Sequence, residues 1–544
     1  MALPKKVLTR AQIAERIAHS EVLVLHRRLV YKLDNWVHQH PGGDLAILHF
    51  VGRDAKDEIE VYHAPETIAT LMRRFAIAQL AEEDATDVAR GRVYRPLMPP
   101  IALGYRNGQL DHPDAQLAAW HASGVGKEQR ARIAAFPLPV ELLEPPESPL
   151  PLLREARISA AFERMHQQIR DAGLYDLQPR HYLRESVRYT SLGVLAYITF
   201  RAAQRTDGWG ASLLYTASAL FLGLLWHQLT FVAHDAGHTG ITHNYALDRF
   251  IGVTVASYLG GLSLVWWCDN HDVHHLVTNH PEHDPDIQHM PIFAISPRFV
   301  TEPKEHGVVA DQPAQPAKPS EPAGLWSSYY RRVLYFDAAA RVLLRVQHKL
   351  YYIIMSLARF NLYALSYGFL LLRARRDRWF WYEMTGLVAF WAWYGGLVLR
   401  ALPSWGMVVV YLLVSHIAAS PVHVQIVLSH FAQDTSDLGP QECFASRQIR
   451  TTMDVQCPSY LDFVHGGLHM QVTHHLFPRL PRHNLRETRD RFVRPFCDAL
   501  GLVYEERKFG PGNGKVLARL KEVADQVHFL FCVADAQARG ELHS

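Results

Sequence analysis

Paired cysteines are missing from this sequence. Its five cysteines form no CxxC pair and no even framework; they are Cys268, Cys443, Cys457, Cys497 and Cys532. Disulfide frameworks belong to oxidising compartments, whereas proteins of a reducing compartment keep their thiols free. The cysteines therefore predict free thiols and exclude a disulfide scaffold.

A strong net charge is also missing. Lys and Arg number 56 against 53 Asp and Glu, a formal charge of only +3, so no nucleic-acid partner is predicted. No glycine-rich fingerprint opens a strand–helix unit, and the chain is therefore not expected to bind a pyridine nucleotide itself. The first six residues, Met-Ala-Leu-Pro-Lys-Lys, lack the apolar stretch of a signal peptide, so we expect the N-terminal domain to remain in the cytosol.

The hydrophobic residues of this sequence are concentrated in long runs that are separate from the charged residues. Hydrophobic residues make up 49% of the chain although charged residues still reach 20%. A helix needs about 20 apolar residues to cross a bilayer. Several runs approach this length, at about 187–204, 211–233, 250–267, 351–372, 380–400 and 405–428. The composition predicts a membrane protein with soluble parts.

Three histidine clusters share the same spacing. They read His234-Asp-Ala-Gly-His238, His271-Asp-Val-His274-His275 and Gln471-Val-Thr-His474-His475. Side chains three or four residues apart lie on one face of a helix, so each cluster can aim two or three imidazoles at one point. Imidazole suits iron, copper, nickel or zinc rather than magnesium or calcium. Seven histidines are too many for one ion and a sensible number for two.

Three polar residues beside the histidines are candidates for supporting roles. Asp235 and Asp272 each follow the first histidine of a cluster. A carboxylate there can accept the second imidazole N–H and fix the tautomer, although a solvated charge at a helix end is the alternative. Gln471 stands where a histidine is expected by analogy with the second cluster. It is predicted to be a weak ligand, a hydrogen-bond partner or a residue that faces the substrate.

A second chemical centre lies near the start of the chain. His40 precedes a Pro-Gly-Gly turn, and His63 stands two residues before Pro65 at a predicted helix start. The glycines let the backbone approach a flat ligand without side-chain clash. Two histidines on separate loops can grip a haem iron from opposite faces. His38 and His49 lie nearby, and an ordinary surface position is one interpretation of each.

The sequence around these histidines resembles two known families. Residues from about 7 to 82 resemble a cytochrome b5 domain, marked by the His-Pro-Gly-Gly turn and a second histidine downstream. The rest of the chain resembles membrane desaturases with three histidine boxes. Because Gln471 opens the third box in place of histidine, the resemblance is to the front-end subfamily, whose members carry a fused cytochrome b5 domain. The resemblance implies that His40 and His63 are the axial ligands of haem b.

The same resemblance implies an O2-dependent enzyme with a di-iron centre. Its iron ligands would be the box histidines, namely His234, His238, His271, His274, His275, His474 and His475. Family members recruit a further ligand from the last membrane helix; His430 is our candidate, with His423 and His416 as local competitors. Gln471 is assigned a catalytic role. Electrons would come from an NADH–cytochrome b5 reductase through the haem, in an endoplasmic reticulum membrane.

The number of membrane crossings is predicted from the side of the membrane on which each functional segment must lie. The histidine clusters must share one side to build one centre, and the haem domain must share that side. Segment 250–267 lies between two clusters and therefore cannot cross; its Gly260-Gly261 pair suits a bent or interfacial helix. The basic residues of 373–378 are expected to stay cytosolic, which leaves 351–372 in the interface. Two hairpins, 187–204 with 211–233 and 380–400 with 405–428, then give four spans with a lumenal turn at 401–404.

The predicted fold is thus a small α+β haem-binding domain fused to an all-α, multi-pass membrane domain. That second domain has four transmembrane helices, interfacial helices and a cytosolic histidine-box cap. We divide the chain into a haem domain (1–82), a Pro-rich linker (83–155), a desaturase domain (156–500) and a cytosolic tail (501–544). Residues of about 302–323 are Pro-rich and are predicted to be a disordered insert.

The substrate class depends on finer resemblance. Within the front-end group, the chain is most similar to fungal enzymes that act at carbon 8 of the sphingoid base in ceramides. Four segments carry that similarity, at 345–352, 358–363, 450–455 and 465–468. The alternative is a Δ5/Δ6-type desaturase of polyunsaturated acyl chains. A sphingolipid acyl hydroxylase is disfavoured because such enzymes carry histidine where Gln471 stands.

Two non-enzymatic functions were weighed, a membrane-anchored electron carrier and a histidine-rich metal transporter. A carrier needs His40, His63 and one anchor helix, which leaves the clustered histidines unexplained. A transporter places its ligands near the middle of its spans, whereas here the clusters follow the spans. The enzyme is therefore the better interpretation, and two non-haem irons per haem would distinguish it from a carrier.

Overall fold

The computed structural model describes residues 4–103, 138–300 and 324–539. The predicted insert at about 302–323 lies outside the described residues, as does the middle of the predicted linker.

The N-terminal domain is built on one mixed sheet. Its strands are β1 (Val7–Leu8), β2 (Leu23–His26), β3 (Leu29–Lys32) and β4 (Ala76–Leu80), in the order β1-β4-β3-β2. The β1–β4 pair is parallel and the other two pairs are antiparallel. The helices around it are α1 (Arg10–Ala18), α2 (Leu45–Leu48), α3 (Lys56–Tyr62) and α4 (Pro65–Thr70). The predicted α+β character of this domain is confirmed.

The described ends of the linker pack onto this domain. The Tyr94 hydroxyl donates a hydrogen bond of 2.9 Å to the Gly52 carbonyl. Leu97, Leu138 and Leu143 are buried in the same hydrophobic core as the sheet and α1. Apolar side chains spaced through the Pro-rich segments therefore anchor both of its described ends to the haem domain.

The rest of the described chain is mainly helical. Its helices are α5 (Leu152–Asp171), α6 (Pro179–Ala203), α7 (Gly208–Gly237), α8 (Tyr245–Val253), α9 (Leu264–Leu276), α10 (Ala338–Leu343), α11 (Gln347–Leu372), α12 (Arg378–Trp391), α13 (Trp405–Ala419), α14 (Pro421–Leu428), α15 (Phe444–Thr451), α16 (Asp462–His465), α17 (Gln471–Leu476), α18 (Leu485–Thr488), α19 (Arg494–Leu500) and α20 (Phe509–Ala538).

The prediction of an all-α body needs one correction, because two small sheets interrupt it. β5 (Gly324–Ser327) and β6 (Arg332–Tyr335) form an antiparallel pair, and β7 (Asp454–Gln456) pairs in parallel with β8 (Glu506–Lys508). The second pair ties the segment before the third histidine cluster to the start of the C-terminal helix α20. Short strands of two to four residues carry too little alternation to be recognised in the sequence.

Within the described ranges, three helices are long and apolar enough to cross a membrane. They are Gly208–Gly237, Ala338–Leu372 and Trp405–Leu428. The first and third contain the predicted spans 211–233 and 405–428, whereas the second contains the segment that we placed in the interface. The predicted segments 187–204 and 380–400 lie in α6 and in α12 with its π-helical continuation, Ala392–Val398.

The predicted bend at Gly260-Gly261 is confirmed. α8 continues as a π-helix to Leu259, and α9 leaves it at an angle of 116°. Gly261 has a φ of +71°, and a side chain there would meet the ring of Phe390 at 2.4 Å. This left-handed conformation favours glycine. The bend turns the second histidine cluster back toward the first.

Candidate metal and haem centres

Two of the three helices that carry the histidine clusters, α9 and α17, are held at their starts by hydrogen bonds to carboxylates of other segments. α9 begins at the Ser263 cap, where Glu383 of α12 accepts hydrogen bonds from the Ser263 hydroxyl (2.5 Å) and the Val265 N–H (2.8 Å). α17 is held at its first turn by Asp454, which accepts from the Val472 N–H at 2.8 Å. A capping oxygen satisfies a helix N–H that has no partner within the helix.

Two separate groups of histidines result. In the first group, one ring nitrogen of each member lies within 4.8 Å of the others; the members are His234, His238, His271 and His474. The second group meets the same criterion and contains His274, His430 and His475. Every member is at most 8% exposed. The arrangement is that of two neighbouring imidazole-lined sites.

His275 lies between the two groups. Its Nε2 stands 3.1 Å from Nε2 of His271 and 3.1 Å from Nε2 of His474. On its other face the ring stacks on His475 of the second group, at 4.0 Å between centroids. Because it contacts both groups, His275 is the histidine placed to serve either site.

His430 joins the second group, and its two competitors do not. Its ring centroid lies 4.6 Å from those of His274 and His475. His416 instead stacks on Phe360 at 4.6 Å. His423, seven residues before His430, is in neither histidine group. Among the three sequence candidates, the geometry favours His430 as the additional ligand.

The far nitrogens of several cluster histidines are anchored by neighbours. Nδ1 of His274 lies 2.8 Å from an Asp284 carboxylate oxygen, and Nδ1 of His271 lies 3.2 Å from Asp286. Nδ1 of His475 lies 3.0 Å from the Gln448 side-chain oxygen. Each contact orients the ring so that Nε2 points into its group, which is how a metal-binding imidazole is usually supported.

Asp284 and Asp286 were not singled out in the sequence. They belong to an Asp-Pro-Asp turn in which Asp284 accepts a hydrogen bond of 2.8 Å from the Asp286 N–H. Asp284 is fully buried and also accepts from the Asn279 N–H at 2.7 Å. The sequence feature that could have identified them is the pair of carboxylates on a rigid turn, ten and twelve residues after His274.

The carboxylates that we expected to support the histidines lie too far away. Asp235 is 3.6 Å from Nδ1 of His234, and Asp272 is 3.9 Å from Nδ1 of His238. Both separations exceed a hydrogen bond. Asp235 is occupied by Arg482, whose guanidinium donates to it at 2.7 Å. The expectation of tautomer-fixing roles for these two residues is therefore corrected in favour of Asp284 and Asp286.

The histidine groups fit metal ions because four of their ring nitrogens have no hydrogen-bond partner among the described residues. Within the two groups, these are the buried Nε2 atoms of His238, His274, His430 and His475. A buried polar atom left without a partner costs about 1–3 kcal/mol. Neutral imidazole is a good ligand for iron and other late transition metals, so metal coordination would satisfy these atoms.

Gln471 is the first residue of α17 and is 3% exposed. It precedes His474 by three residues and His475 by four, and on a helix this spacing keeps the three side chains on one side. This burial places the Gln471 side chain inside the protein, as each of the three predicted roles requires. Its catalytic role remains a prediction.

His40 and His63 face each other in the N-terminal domain. Their ring centroids are 6.0 Å apart. Nδ1 of His40 lies 3.1 Å from the Gly43 carbonyl and Nδ1 of His63 lies 3.0 Å from the Ile59 carbonyl, which leaves Nε2 of each ring available. Metal–imidazole bonds are about 2 Å long, so the gap suits one metal atom bound from both sides, as in a bis-histidine haem.

Burial keeps this pair in the ligating form. Desolvation by burial and, after it, the neighbouring His40 lower the pKa of His63 to about 4. The pKa of His40 is also lowered by burial. Both imidazoles are therefore neutral at physiological pH, the protonation state that a metal requires.

The other histidines near the Pro-Gly-Gly turn are not part of this pair. His38 is half-exposed and lies 3.9 Å from Asp44. His49, for which a surface position was one interpretation, is only 3% exposed and packs on His283 at 4.7 Å between centroids. The surface interpretation is wrong for His49, because α2 faces the helical body rather than solvent.

These features define a membrane-associated, metal-dependent oxidoreductase with a fused haem-binding domain. Residues 211–508 match the model of the fatty acid desaturase family, and residues 9–81 match the cytochrome b5-like heme/steroid binding domain. The chain belongs to the fatty acid desaturase family, and it carries a cytochrome b5-type domain at its N-terminus.

Known relatives match the chain over nearly its whole length. A protein named Delta 8-(E)-sphingolipid desaturase from Emericella nidulans is 39% identical over 96% of this chain and 95% of its own. A protein of the same name from Komagataella phaffii is 39% identical, over 96% and 94%. Another, from Candida albicans, is 35% identical over 99% of both chains. The fusion of both domains is thus shared with these relatives.

Proposed function

We propose that this protein is an O2-dependent desaturase that introduces a trans double bond at carbon 8 of the sphingoid base of ceramide-type lipids. Two adjacent buried histidine groups, in which four Nε2 atoms lack a hydrogen-bond partner among the described residues, carry the proposal. The position and geometry of the double bond are taken from the names of relatives that match nearly the full length of the chain.

The proposed reaction balances with two electrons. A CH2–CH2 unit, O2, two electrons and two protons give a CH=CH unit and two molecules of water. When bound, the two irons supply the O2-derived oxidant that an unactivated C–H bond requires. The chain itself holds the metals through the two histidine groups. Its Asp-Pro-Asp turn orients the rings, and burial of every ligand to 8% exposure or less keeps bulk water out.

In this proposal the N-terminal domain is the electron donor. His40 and His63 hold haem b, and the electrons arrive one at a time from an external NADH-dependent reductase. A tethered donor has an effective concentration of about millimolar at its acceptor. Fusion therefore removes the need for a diffusional encounter at each of the two electron transfers.

Lipid analysis tests the proposed substrate. In a host that lacks 8-unsaturated sphingoid bases, expression of the protein is expected to produce them, because the histidine groups are complete within this one chain. Mass spectrometry of hydrolysed sphingolipids measures the product, and His274→Ala serves as the inactive control. If new double bonds appear in fatty acyl chains and not in sphingoid bases, the acyl-desaturase alternative is correct instead.

We also propose four membrane spans, with the histidine groups and the haem domain on the cytosolic side of the endoplasmic reticulum. The packing of the four segments supports this. α6, α7, α12 with its π-helical continuation, and α13 contribute to one apolar cluster, in which Trp226, Phe390, Tyr394 and Tyr411 are almost fully buried. A shared apolar core is what two packed hairpins require.

The interfacial placement of α11 is supported by contacts at its two ends. At its start, the Gln347 amide donates to the Leu520 carbonyl of α20 at 2.8 Å. After its last turn, Arg373 donates to the Tyr329 carbonyl at 3.4 Å, and the Tyr329 hydroxyl donates to Asp269 of α9 at 3.1 Å. A spanning helix separates its ends by about 30 Å of hydrocarbon, whereas both ends of α11 adjoin parts of the histidine-bearing side.

Topology reporters give opposite answers if four spans are correct. A reporter inserted at residue 402 is expected to be lumenal, and one at residue 375 cytosolic, because 402 lies in the turn before α13 and 375 in the basic segment after α11. Glycosylation of an inserted acceptor site measures the lumenal side, and protease accessibility in sealed microsomes measures the cytosolic side. Cytosolic signals from both insertions would rule out the second hairpin.

A further inference from the structure

The haem domain packs directly on the helix that carries the second histidine cluster. Val273, Leu276 and Val277, at the end of α9, belong to the same hydrophobic core as the sheet and α1 of the haem domain. An ion pair between Asp44 and Arg331, 3.1 Å long and partly buried, closes one side of this contact. The two redox domains therefore share a continuous apolar interface rather than a tether alone.

The two glycines after Pro41 lie close to the helical body. A side chain at Gly42 would meet an Asp272 carboxylate oxygen at 3.1 Å, and one at Gly43 would meet Asp269 at 2.9 Å. Gly43 also has a φ of +83°. The absence of side chains lets the His40 loop lie against α9, next to the site residue His271.

A second contact leads from the other haem-binding histidine. Tyr62 directly precedes His63, and its ring meets the ring of His275 edge-on, at 6.5 Å between centroids and an interplanar angle of 90°. The Tyr62 hydroxyl is buried without a hydrogen-bond partner among the described residues. The contact that the structure shows between Tyr62 and His275 is the one between their rings.

The acceptor of this contact is the histidine shared by both groups. His275 lies 3.1 Å from His271 and from His474, and stacks on His475. An electron that reaches His275 is therefore adjacent to both candidate iron sites. The backbone between His63 and Tyr62 completes a short connection from the haem pair.

We propose that Tyr62 is the positioning residue that joins the haem pair to the histidine groups, and that Gly42 and Gly43 allow the docked state in which it does so. This inference rests on the proposed haem and iron assignments. In each transfer the haem loses one electron to the iron pair, and an external pyridine-nucleotide-dependent reductase restores it. Two such transfers supply the two electrons of one double bond.

The rate at which the haem is re-oxidised tests the role of Tyr62. The full-length protein is reduced, mixed with O2 and lipid, and followed by the visible absorbance of the haem; protein depleted of non-haem iron gives the background rate. Tyr62→Leu is expected to slow re-oxidation by about tenfold or more, the order found when the partner of a metal ligand is removed. Tyr62→Phe, which keeps the ring, is expected to match the wild type.

Two further measurements separate this role from a structural one. Haem content and the haem reduction potential are expected to be unchanged in Tyr62→Leu, because Tyr62 ligates nothing. Re-oxidation of Tyr62→Leu at the wild-type rate, or an equal loss in Tyr62→Phe, would overturn the proposal. If the wild type makes no 8-unsaturated base while its haem re-oxidation still depends on iron, the proposed substrate fails and the contact stands.

A glycine pair provides an independent test of docking. In Gly43→Ala, re-oxidation per bound haem is expected to be slower than in the wild type, because the new side chain meets Asp269. Gly91 is the matched control: its φ is +69°, so alanine there carries similar backbone strain, but nothing lies within 4 Å of the added atom. Equal rates in Gly43→Ala and Gly91→Ala would refute the docking role of Gly43.

Discussion

Replacing either His40 or His63 by alanine is expected to abolish haem retention and desaturation while leaving the non-haem iron in place. Each histidine supplies the available Nε2 on one side of the 6.0 Å gap, so neither can substitute for the other. The two histidine groups of the helical body contain neither residue. Haem absorbance of the purified protein, iron per chain and product per cell measure the three consequences separately.

The matched control for these variants is His38→Ala. His38 lies two residues from His40 but is half-exposed, and its Nδ1 lies 3.9 Å from Asp44. It should therefore leave haem content unchanged. Normal haem absorbance in both His40→Ala and His63→Ala would contradict the bis-histidine assignment. Loss of non-haem iron along with the haem would show that the docked domain stabilises the metal groups.

The helical spacing of the clusters predicted much of the candidate site. Residues three and four apart on one helix must share a face, and His234, His271 and His474 indeed come from three helices to one group. The spacing alone did not predict how the histidines divide between the two groups. His274 and His275 are adjacent in sequence, yet His274 belongs to the second group while His275 contacts both, because neighbouring positions on a helix point about 100° apart.

The carboxylates that orient the cluster histidines were not identified from the sequence. We chose Asp235 and Asp272 because they adjoin histidines, but adjacent residues on a helix point in different directions. Asp284 reaches His274 from a loop, where no periodicity constrains direction. Only the folded chain brings it there.

The packing of the haem domain on the body was also beyond the sequence. The His-Pro-Gly-Gly turn predicted close approach to a flat ligand, whereas Gly42 and Gly43 also approach Asp272 and Asp269 of the body. The same glycines thus allow close approach both to the ligand and to the helical body, and the sequence alone does not show which residues of the body they approach. The hydropathy of 351–372 was ambiguous for a related reason: a helix of that length and composition is compatible with a span, and only its end contacts indicate its placement.

Exchange of Gln471 for histidine is expected to separate iron binding from catalysis. Gln471 is buried in the first turn of the helix that presents His474 and His475. A neutral amide binds iron weakly through its oxygen or donates a hydrogen bond through its nitrogen, whereas histidine would add a strong ligand. Both irons should still bind, but with altered coordination, so Gln471→His is expected to keep its iron and lose about tenfold to a hundredfold in product.

His475→Ala gives the opposite pattern and calibrates the experiment. It removes one of three members of the second histidine group and the ring that stacks on His275, so iron itself should fall together with activity. His528→Ala, at an exposed position on α20, is the control for loss of a histidine that belongs to neither histidine group. Iron per chain and sphingoid-base product are compared at equal membrane expression.

Full activity and unchanged product in Gln471→His would contradict the prediction. A histidine that bound iron at this buried position would change the product yield, so such a result would show that the residue at position 471 neither contacts the metals nor shapes the oxidant. The assignment of the chain to the front-end subfamily would lose its physical basis, although the iron ligands would be unaffected.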